Sequence, residues 1–174
     1  TGVSGTSNEE KAETRVQLIE DIFNQIIFHY RKYPKKKDLC VDIVERSIGM
    51  LEDSGIVNAG KGSVLQSDGV QRMDAAIMRG RDLEYGSVGS LRGVKNPISL
   101  VRNILETDDG HNMYAHDYAL KFARGKDSRE TKNIKINIKN AGDEELGTVG
   151  AVALDFDKNL SAGASTGGFG SCKA

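Results

Sequence analysis

Apolar residues recur at every third or fourth position in the first third of the chain, which predicts two helices. One face of residues 9–32 is apolar in this way. A second helix is expected to begin after Asp38, a residue type favoured at helix starts, and to end near Ser54–Gly55. Cys40 falls among the apolar positions of this second helix, so it is interpreted as a core residue rather than a reactive thiol.

The hydrophobic period shortens to two beyond residue 56, which is typical of strands. Asp68–Gly69 lies between two short alternating runs and predicts a hairpin over 63–74. A further strand is predicted over 85–91 and a second hairpin over 148–165. Helices are expected again after Asn96–Pro97 and over 113–124. Helices grouped beside antiparallel strands predict an α+β layered fold rather than a doubly wound parallel sheet.

Two segments show neither the helical nor the strand spacing of apolar residues. Residues 1–8 form a polar lead rich in Gly, Ser and Thr, and residues 125–146 are polar and charged. The second of these is interpreted as a mobile connector.

Charge and hydropathy exclude several classes of protein. The 174 residues contain 24 Lys and Arg against 25 Asp and Glu, for a net charge of −1. This balance gives no electrostatic reason to expect a nucleic acid or an anionic membrane as partner. The chain has no apolar run long enough to span a bilayer, and its first residues lack the pattern of a secretory signal. We therefore predict a cytoplasmic location.

The candidate chemistry centres on Gly147-Thr148, since the three histidines have no metal-ligand spacing. A threonine hydroxyl needs a neighbouring base to act as a nucleophile, and a chain-terminal threonine can use its own α-amino group. That amine has a pKa of about 7.7–8.0, so a useful fraction is neutral near pH 7. An internal threonine gains the amine only if the preceding peptide bond is broken. The alternative, that Gly-Thr only begins a strand, remains open on composition alone.

Four motifs add to this interpretation: LEDSGIVNAGKGSVL, MDAAIMRG, YGSVGSLRGVKNPISLVR and LGTVGAVALDFDKNLSAGASTGG. Together they cover roughly residues 38–106 and 147–168. In order and spacing they resemble the threonine N-terminal-nucleophile hydrolases, namely plant-type L-asparaginase/isoaspartyl peptidase and the related glycosylasparaginase and threonine aspartase.

The resemblance implies a four-layer αββα sandwich, incomplete in this chain, that is made as an inactive precursor. Self-cleavage between Gly147 and Thr148 would divide it into an α-subunit-like part, 1–147, and the start of a β-subunit-like part, 148–174. The implied activity is hydrolysis of the side-chain amide of L-asparagine and of β-aspartyl peptides. A small-molecule or peptide substrate and a homodimer of processed protomers are implied as partners, with neither nucleic acid nor membrane.

Residue roles also come from the resemblance. Thr148 matches the nucleophile, Gly147 supplies the scissile carbonyl, and the hydroxyl of Thr166 would hydrogen-bond the nucleophile. Asn58 matches an asparagine packed near the site, and Gly167 and Gly168 match substrate-binding positions. No cofactor is required. A structural sodium ion is implied, held by the backbone carbonyls of Leu51, Glu52, Ser54, Val57, Ala59 and Lys61, and hard oxygen ligands suit such an ion.

Several departures from the family pattern leave alternatives open. The family's opening His-Gly-Gly strand has no expected counterpart before Glu9, and Arg79 stands where an Asp is usual. The family's substrate-gripping Gly-Arg-x-Gly-Asp motif would lie beyond Ala174, so this chain alone is predicted to be a poor hydrolase. The alternatives are a threonine-aspartase-like protease and a non-catalytic shortened relative that acts as a binding or structural module.

Overall fold

A single mixed sheet carries the fold in the computed structural model, which describes residues 2–5, 9–125 and 146–168. Six strands of these residues lie in the order β1-β5-β6-β2-β3-β4. Neighbouring strands are antiparallel, except that β3 and β4 are parallel. The strands are β1 (Gly2–Gly5), β2 (Met73–Arg79), β3 (Glu84–Leu91), β4 (Met113–Ala115), β5 (Leu146–Leu154) and β6 (Leu160–Thr166).

Four α-helices accompany the sheet in the described residues: α1 (Glu9–Tyr30), α2 (Leu39–Ser54), α3 (Pro97–Leu105) and α4 (His116–Gly125). Helix α2 ends at Gly55, whose φ of 69° is a left-handed conformation that glycine adopts without a steric penalty. Helix α3 begins at Pro97, where the fixed φ of proline suits the first helical turn. Both boundaries agree with the sequence predictions.

The helices cover one face of the sheet, and the core lies between the two layers. Val149, Ala151 and Ala153 of β5 alternate inward and are buried. Helix α2 packs closely on β6, because a Cβ added to Gly163 would lie 2.8 Å from Val44 Cγ1 and 3.0 Å from Ile48 Cδ1. Cys40 is 1% exposed, which confirms its assignment to the core. The α+β prediction is confirmed.

The other face of the sheet carries large exposed apolar side chains, at 41–64% exposure: Met78, Tyr85, Val152, Leu154 and Leu160. An antiparallel sheet that faces water normally presents polar residues on that side. The composition of this open face therefore suits a sheet that packs against a further layer, as a four-layer sandwich requires.

The prediction of a polar lead at residues 1–8 is wrong for 2–5, which form strand β1. Val3 pairs with Val149 of β5, so a strand does precede Glu9, although its residues do not form a His-Gly-Gly motif. This strand has no alternating pattern of its own. It forms because the edge of β5 offers backbone N–H and C=O groups for pairing. The sequence of residues 2–5 alone does not indicate this partner.

Two other predicted elements differ in extent. The hairpin at Asp68–Gly69 is reduced to a tight turn with one bridge between Leu65 and Gln71, and the extended strand begins only at Met73. The helix predicted over 113–124 starts at His116, because the preceding three residues pair with β3 as β4. Most of the predicted connector, 126–145, lies outside the described residues. Among the described helices, none is both long and apolar enough to cross a membrane.

Candidate active site

Thr148 and Thr166 lie on adjacent strands and on the same face of the sheet. Val149 of β5 pairs with Ser165 of β6, and both of these side chains are buried toward the helices. Continuing the antiparallel register by one residue sets Thr148 opposite Thr166, on the open face. Directly opposed residues have Cβ atoms about 4.5–5.5 Å apart. The two side chains are therefore expected to be neighbours on this face of the sheet.

The hydroxyl of Thr166 has a defined local role. The backbone N–H of Gly168 donates to Thr166 Oγ1 at 3.1 Å. Because this bond uses the oxygen as an acceptor, the hydroxyl proton stays available as a donor. On its other side, Thr166 pairs with Asp74 of β2, whose Oδ1 accepts a bond from the Ser90 N–H at 2.8 Å.

Asn58 connects the loop after α2 to the end of β6. Its side chain is 1% exposed, and its Nδ2 donates to the carbonyl of Gly168 at 2.8 Å. Its Oδ1 accepts from the Val64 N–H at 3.0 Å, while its own carbonyl accepts from the Gly167 N–H at 2.9 Å. The structure thus brings Asn58, Thr166, Gly167 and Gly168 together. Their catalytic roles stay predictions.

Gly167 occupies a space that admits no side chain. A Cβ at this position would lie against Asn58 Oδ1 and within 2.5 Å of Ser63 Cβ. The backbone therefore passes directly over the Asn58 loop, and this contact requires glycine.

The proposed scissile bond lies near the start of β5 rather than in a loop. Strand β5 spans Leu146–Leu154, so the peptide between Gly147 and Thr148 belongs to a strand that has β1 on one side and β6 on the other. Thr148 itself is exposed on the open face.

The predicted sodium loop supplies the right kind of donor. Within the segment, the Leu51 carbonyl accepts from Ser54 Oγ, the Val57 carbonyl from the Ala59 N–H, and the Ala59 carbonyl from the Gly62 N–H. A carbonyl oxygen has two lone pairs, so one hydrogen bond does not prevent it from binding an ion. The loop is compact, since a Cβ at Gly62 would fall on the Val57 carbonyl oxygen. Neutral oxygens in a tight loop fit a hard monovalent cation. Among the described residues, no cluster of three or more His, Cys, Asp or Glu side chains could hold a metal ion.

Sequence reasoning missed the side chain of Glu52, which it considered only as a backbone carbonyl. Its carboxyl is 0% exposed. Oε1 accepts from Ser165 Oγ at 2.7 Å and from the Ile98 N–H at 3.2 Å, and Oε2 accepts from Asn96 Nδ2 at 3.2 Å. Helical spacing could have found it, because Glu52 follows the buried Ile48 by four positions on the inward face of α2.

Burial raises the pKa of the Glu52 carboxyl to about 7, against 4.5 ordinarily. The unfolded chain therefore releases this proton near pH 4.5, whereas the folded chain holds it until about pH 7. The protonated carboxyl therefore makes its full contribution to the free energy of unfolding below pH 4.5, and this contribution is lost as the pH rises to 7. The full loss is about 3 kcal/mol.

We expect Glu52→Gln to remove this pH dependence, because the amide does not titrate. Between pH 4.5 and 7.5, the parent should lose about 3 kcal/mol of unfolding free energy relative to Glu52→Gln. Urea unfolding at several pH values measures it. Glu20→Gln, at an exposed position of α1, is the matched control. A difference that stays constant across this range would contradict the prediction.

Arg79 stands at a position where the family usually has an Asp, and it lies away from Thr166. It pairs with Ser161 at one end of β2, while Asp74 at the other end pairs with Thr166. Its guanidinium binds Asp82 at 2.9 Å. The substitution therefore does not alter the surroundings of Thr166.

Comparison with known proteins identifies the family of this chain. The family described as asparaginase matches residues 1–139 and 126–173. A plant-type L-asparaginase of Pyrococcus horikoshii is 37% identical over 95% of the chain and 62% of its own length. An isoaspartyl peptidase/L-asparaginase of Macaca fascicularis is 40% identical over 74% of the chain and 47% of its own length. The chain thus spans less than two thirds of these curated relatives.

Proposed function

Because this chain belongs to the asparaginase family, we propose that it is a threonine-dependent amidohydrolase that activates itself by cleavage between Gly147 and Thr148. The proposed substrates are the side-chain amide of L-asparagine and β-aspartyl peptides. The names of the relatives support this substrate class. The observation that carries the proposal is the pair Thr148 and Thr166, opposed across β5 and β6 beside the loop of Asn58.

The first step is an attack of Thr148 Oγ on the carbonyl carbon of Gly147. The hydroxyl proton passes to the leaving nitrogen, the C–N bond breaks, and an ester joins Gly147 to the threonine oxygen. Water then hydrolyses the ester, which leaves a carboxylate on Gly147 and a free α-amino group on Thr148. Gly147 has no side chain to obstruct the attack.

The second reaction uses the new amine as the base. It accepts the proton of its own hydroxyl while the oxygen attacks the substrate amide carbon, and ammonia or an amino acid leaves with a proton. Water releases the acyl group as the acid. Thr166 supports this step as a donor to the nucleophile oxygen, because its own oxygen accepts from Gly168. The free amine must be neutral, so the rate is expected to rise with pH through the amine pKa of about 7.7–8.0.

A sodium ion would fit the carbonyls of the last turn of α2 and of the loop that follows it, and it would supply no chemistry to the reaction. Leu51, Val57 and Ala59 are among the residues that would hold it. Its contribution would be to fix the loop that presents Asn58 to the end of β6.

Incubation of the purified chain tests the proposal. We expect a new fragment of 27 residues (148–174) whose N-terminal sequence is Thr-Val-Gly-Ala-Val, found by denaturing electrophoresis, intact mass and N-terminal sequencing. Release of ammonia from L-asparagine and of free amino acid from a β-aspartyl dipeptide measures the second reaction. Where the gene encodes residues after Ala174, the whole protein is assayed in parallel.

The outcomes are separable. A chain that stays intact through prolonged incubation, in the whole protein as well, would overturn self-cleavage. Cleavage without hydrolysis of either substrate class would retain the threonine chemistry and reject the asparaginase assignment.

A further inference from the structure

Three of the four sequence motifs meet at one buried side chain. Glu52 belongs to the first motif, Asn96 and Ile98 to the third, and Ser165 to the fourth. The described hydrogen bonds of the Glu52 carboxyl run to the third and fourth motifs, which are 44–46 and 113 residues away along the chain. The second motif forms β2, which pairs with β6 beside Ser165. A contact that gathers such distant segments fixes their relative positions.

The loop that carries Asn58 follows the end of α2 and passes next to Glu52. Gly60 crosses the end of α2 so closely that an added Cβ would lie 2.7 Å from both the Cα and the carbonyl oxygen of Glu52. Gln71 Nε2 then donates to the Gly60 carbonyl at 3.3 Å and to the Ser63 carbonyl at 2.9 Å, which closes the loop. Glu52 is therefore directly connected to both sides of the site, the Asn58 loop and strand β6.

The link to β6 adjoins the proposed catalytic threonine. Ser165 is 0% exposed, and its Oγ donates to Glu52 Oε1 at 2.7 Å. The next residue is Thr166, followed by Gly167, whose N–H bonds to the Asn58 carbonyl. Three donors reach this carboxyl, and satisfied buried polar groups of this kind select one arrangement of their neighbours.

We propose that Glu52 is a positioning residue, whose carboxyl holds Ser165 and thereby fixes the end of β6 so that Thr166 and Gly167 stay against the Asn58 loop. Its importance for catalysis rests on the proposed function; its effect on the geometry does not. Glu52 does not contact the reacting atoms, and it acts through Ser165.

Ser161 gives a matched control for Ser165. It lies on the same strand and the same buried face, is 1% exposed, and donates from its Oγ to the Met78 carbonyl at 2.7 Å. Ser161→Ala and Ser165→Ala thus each remove one buried hydroxyl bond from β6. Only the second removes the bond to Glu52.

Two measurements on the parent and these variants test the proposal. Hydrogen exchange at the Gly167 amide reports the contact with Asn58, and the rate of Thr148 release reports the reaction. We expect Ser165→Ala to speed exchange at Gly167 by about tenfold and to slow self-cleavage by a similar factor. We expect Ser161→Ala to change both by less than about twofold.

Two variants of Glu52 test whether a hydrogen-bond acceptor at this position is enough to protect the Gly167 amide. Glu52→Gln keeps an oxygen that accepts from Ser165 and Ile98, so it should retain the exchange protection of Gly167, whereas Glu52→Leu should lose it. If Glu52→Leu does not fold, the comparison of the two serine variants still decides. Equal effects of Ser161→Ala and Ser165→Ala would overturn the proposal. Should neither this chain nor the whole protein show self-cleavage, the proposed function fails, and the exchange data still test the positioning role.

Discussion

Thr148→Ala is expected to abolish self-cleavage, with a fall in rate of about a thousandfold or more. The side chain lies on the exposed face of β5, so its methyl replacement removes the attacking oxygen without opening a cavity in the core. The neighbours Val149 and Ser165 keep their buried positions on the opposite face. The measurement is the time course of appearance of residues 148–174 by intact mass.

The matched control is Thr148→Ser, which keeps a hydroxyl at the same strand position. It should cleave, although more slowly, because a serine lacks the methyl group that restricts rotation about χ1. Thermal unfolding should give similar midpoints for the parent and both variants. Undiminished cleavage of Thr148→Ala would contradict the assignment of the nucleophile.

Gly167→Ala is expected to lower the free energy of unfolding by about 3 kcal/mol and the melting temperature by about 10 °C. The added methyl would overlap Asn58 Oδ1 and Ser63 Cβ, and neither can retreat easily. Asn58 is held by bonds to Val64 and Gly168, and Ser63 belongs to the same compact loop. Relief of the overlap would have to part β6 from this loop, so self-cleavage should also slow.

Gly49→Ala is the control for this variant, because it makes the same change where space exists. An added Cβ within helix α2 would meet only Ile98 Cγ2, at 3.9 Å. Alanine also favours a helix over glycine by about 0.5–1 kcal/mol, so this variant should be somewhat more stable than the parent. Differential scanning fluorimetry compares the two. Equal stability of Gly167→Ala and the parent would show that the loop yields more readily than its hydrogen bonds suggest.

The elements that sequence predicted well are those with local signals. Helix α2 has an apolar stripe and ends at a glycine in a left-handed conformation, and α3 has a proline in its first turn. Strand β1 has no such signal, since its four residues extend only because β5 provides partners 141–148 positions along the chain. Strand β4 similarly depends on β3, and it displaced the start of a helix that periodicity had placed at 113.

The residues of the candidate site likewise fall into those that the sequence identified and one that it did not. Thr148, Thr166 and Asn58 were identified through motifs, and strand register then placed the two threonines opposite each other. The carboxyl of Glu52 was not identified, because its importance comes from contacts with residues 44 to 113 positions away. Helical spacing alone would have shown that it points inward.

The location of the proposed cut within a paired strand has a consequence for the product. Residues 149–154 pair with β6, and β6 in turn is bonded to β2 in the larger piece. A nick at this point severs one covalent bond and leaves the ladder of inter-strand bonds on both sides of the smaller piece. The two polypeptides would therefore remain associated as a single heterodimeric unit, and the new terminal amine would be anchored in place rather than released into solvent.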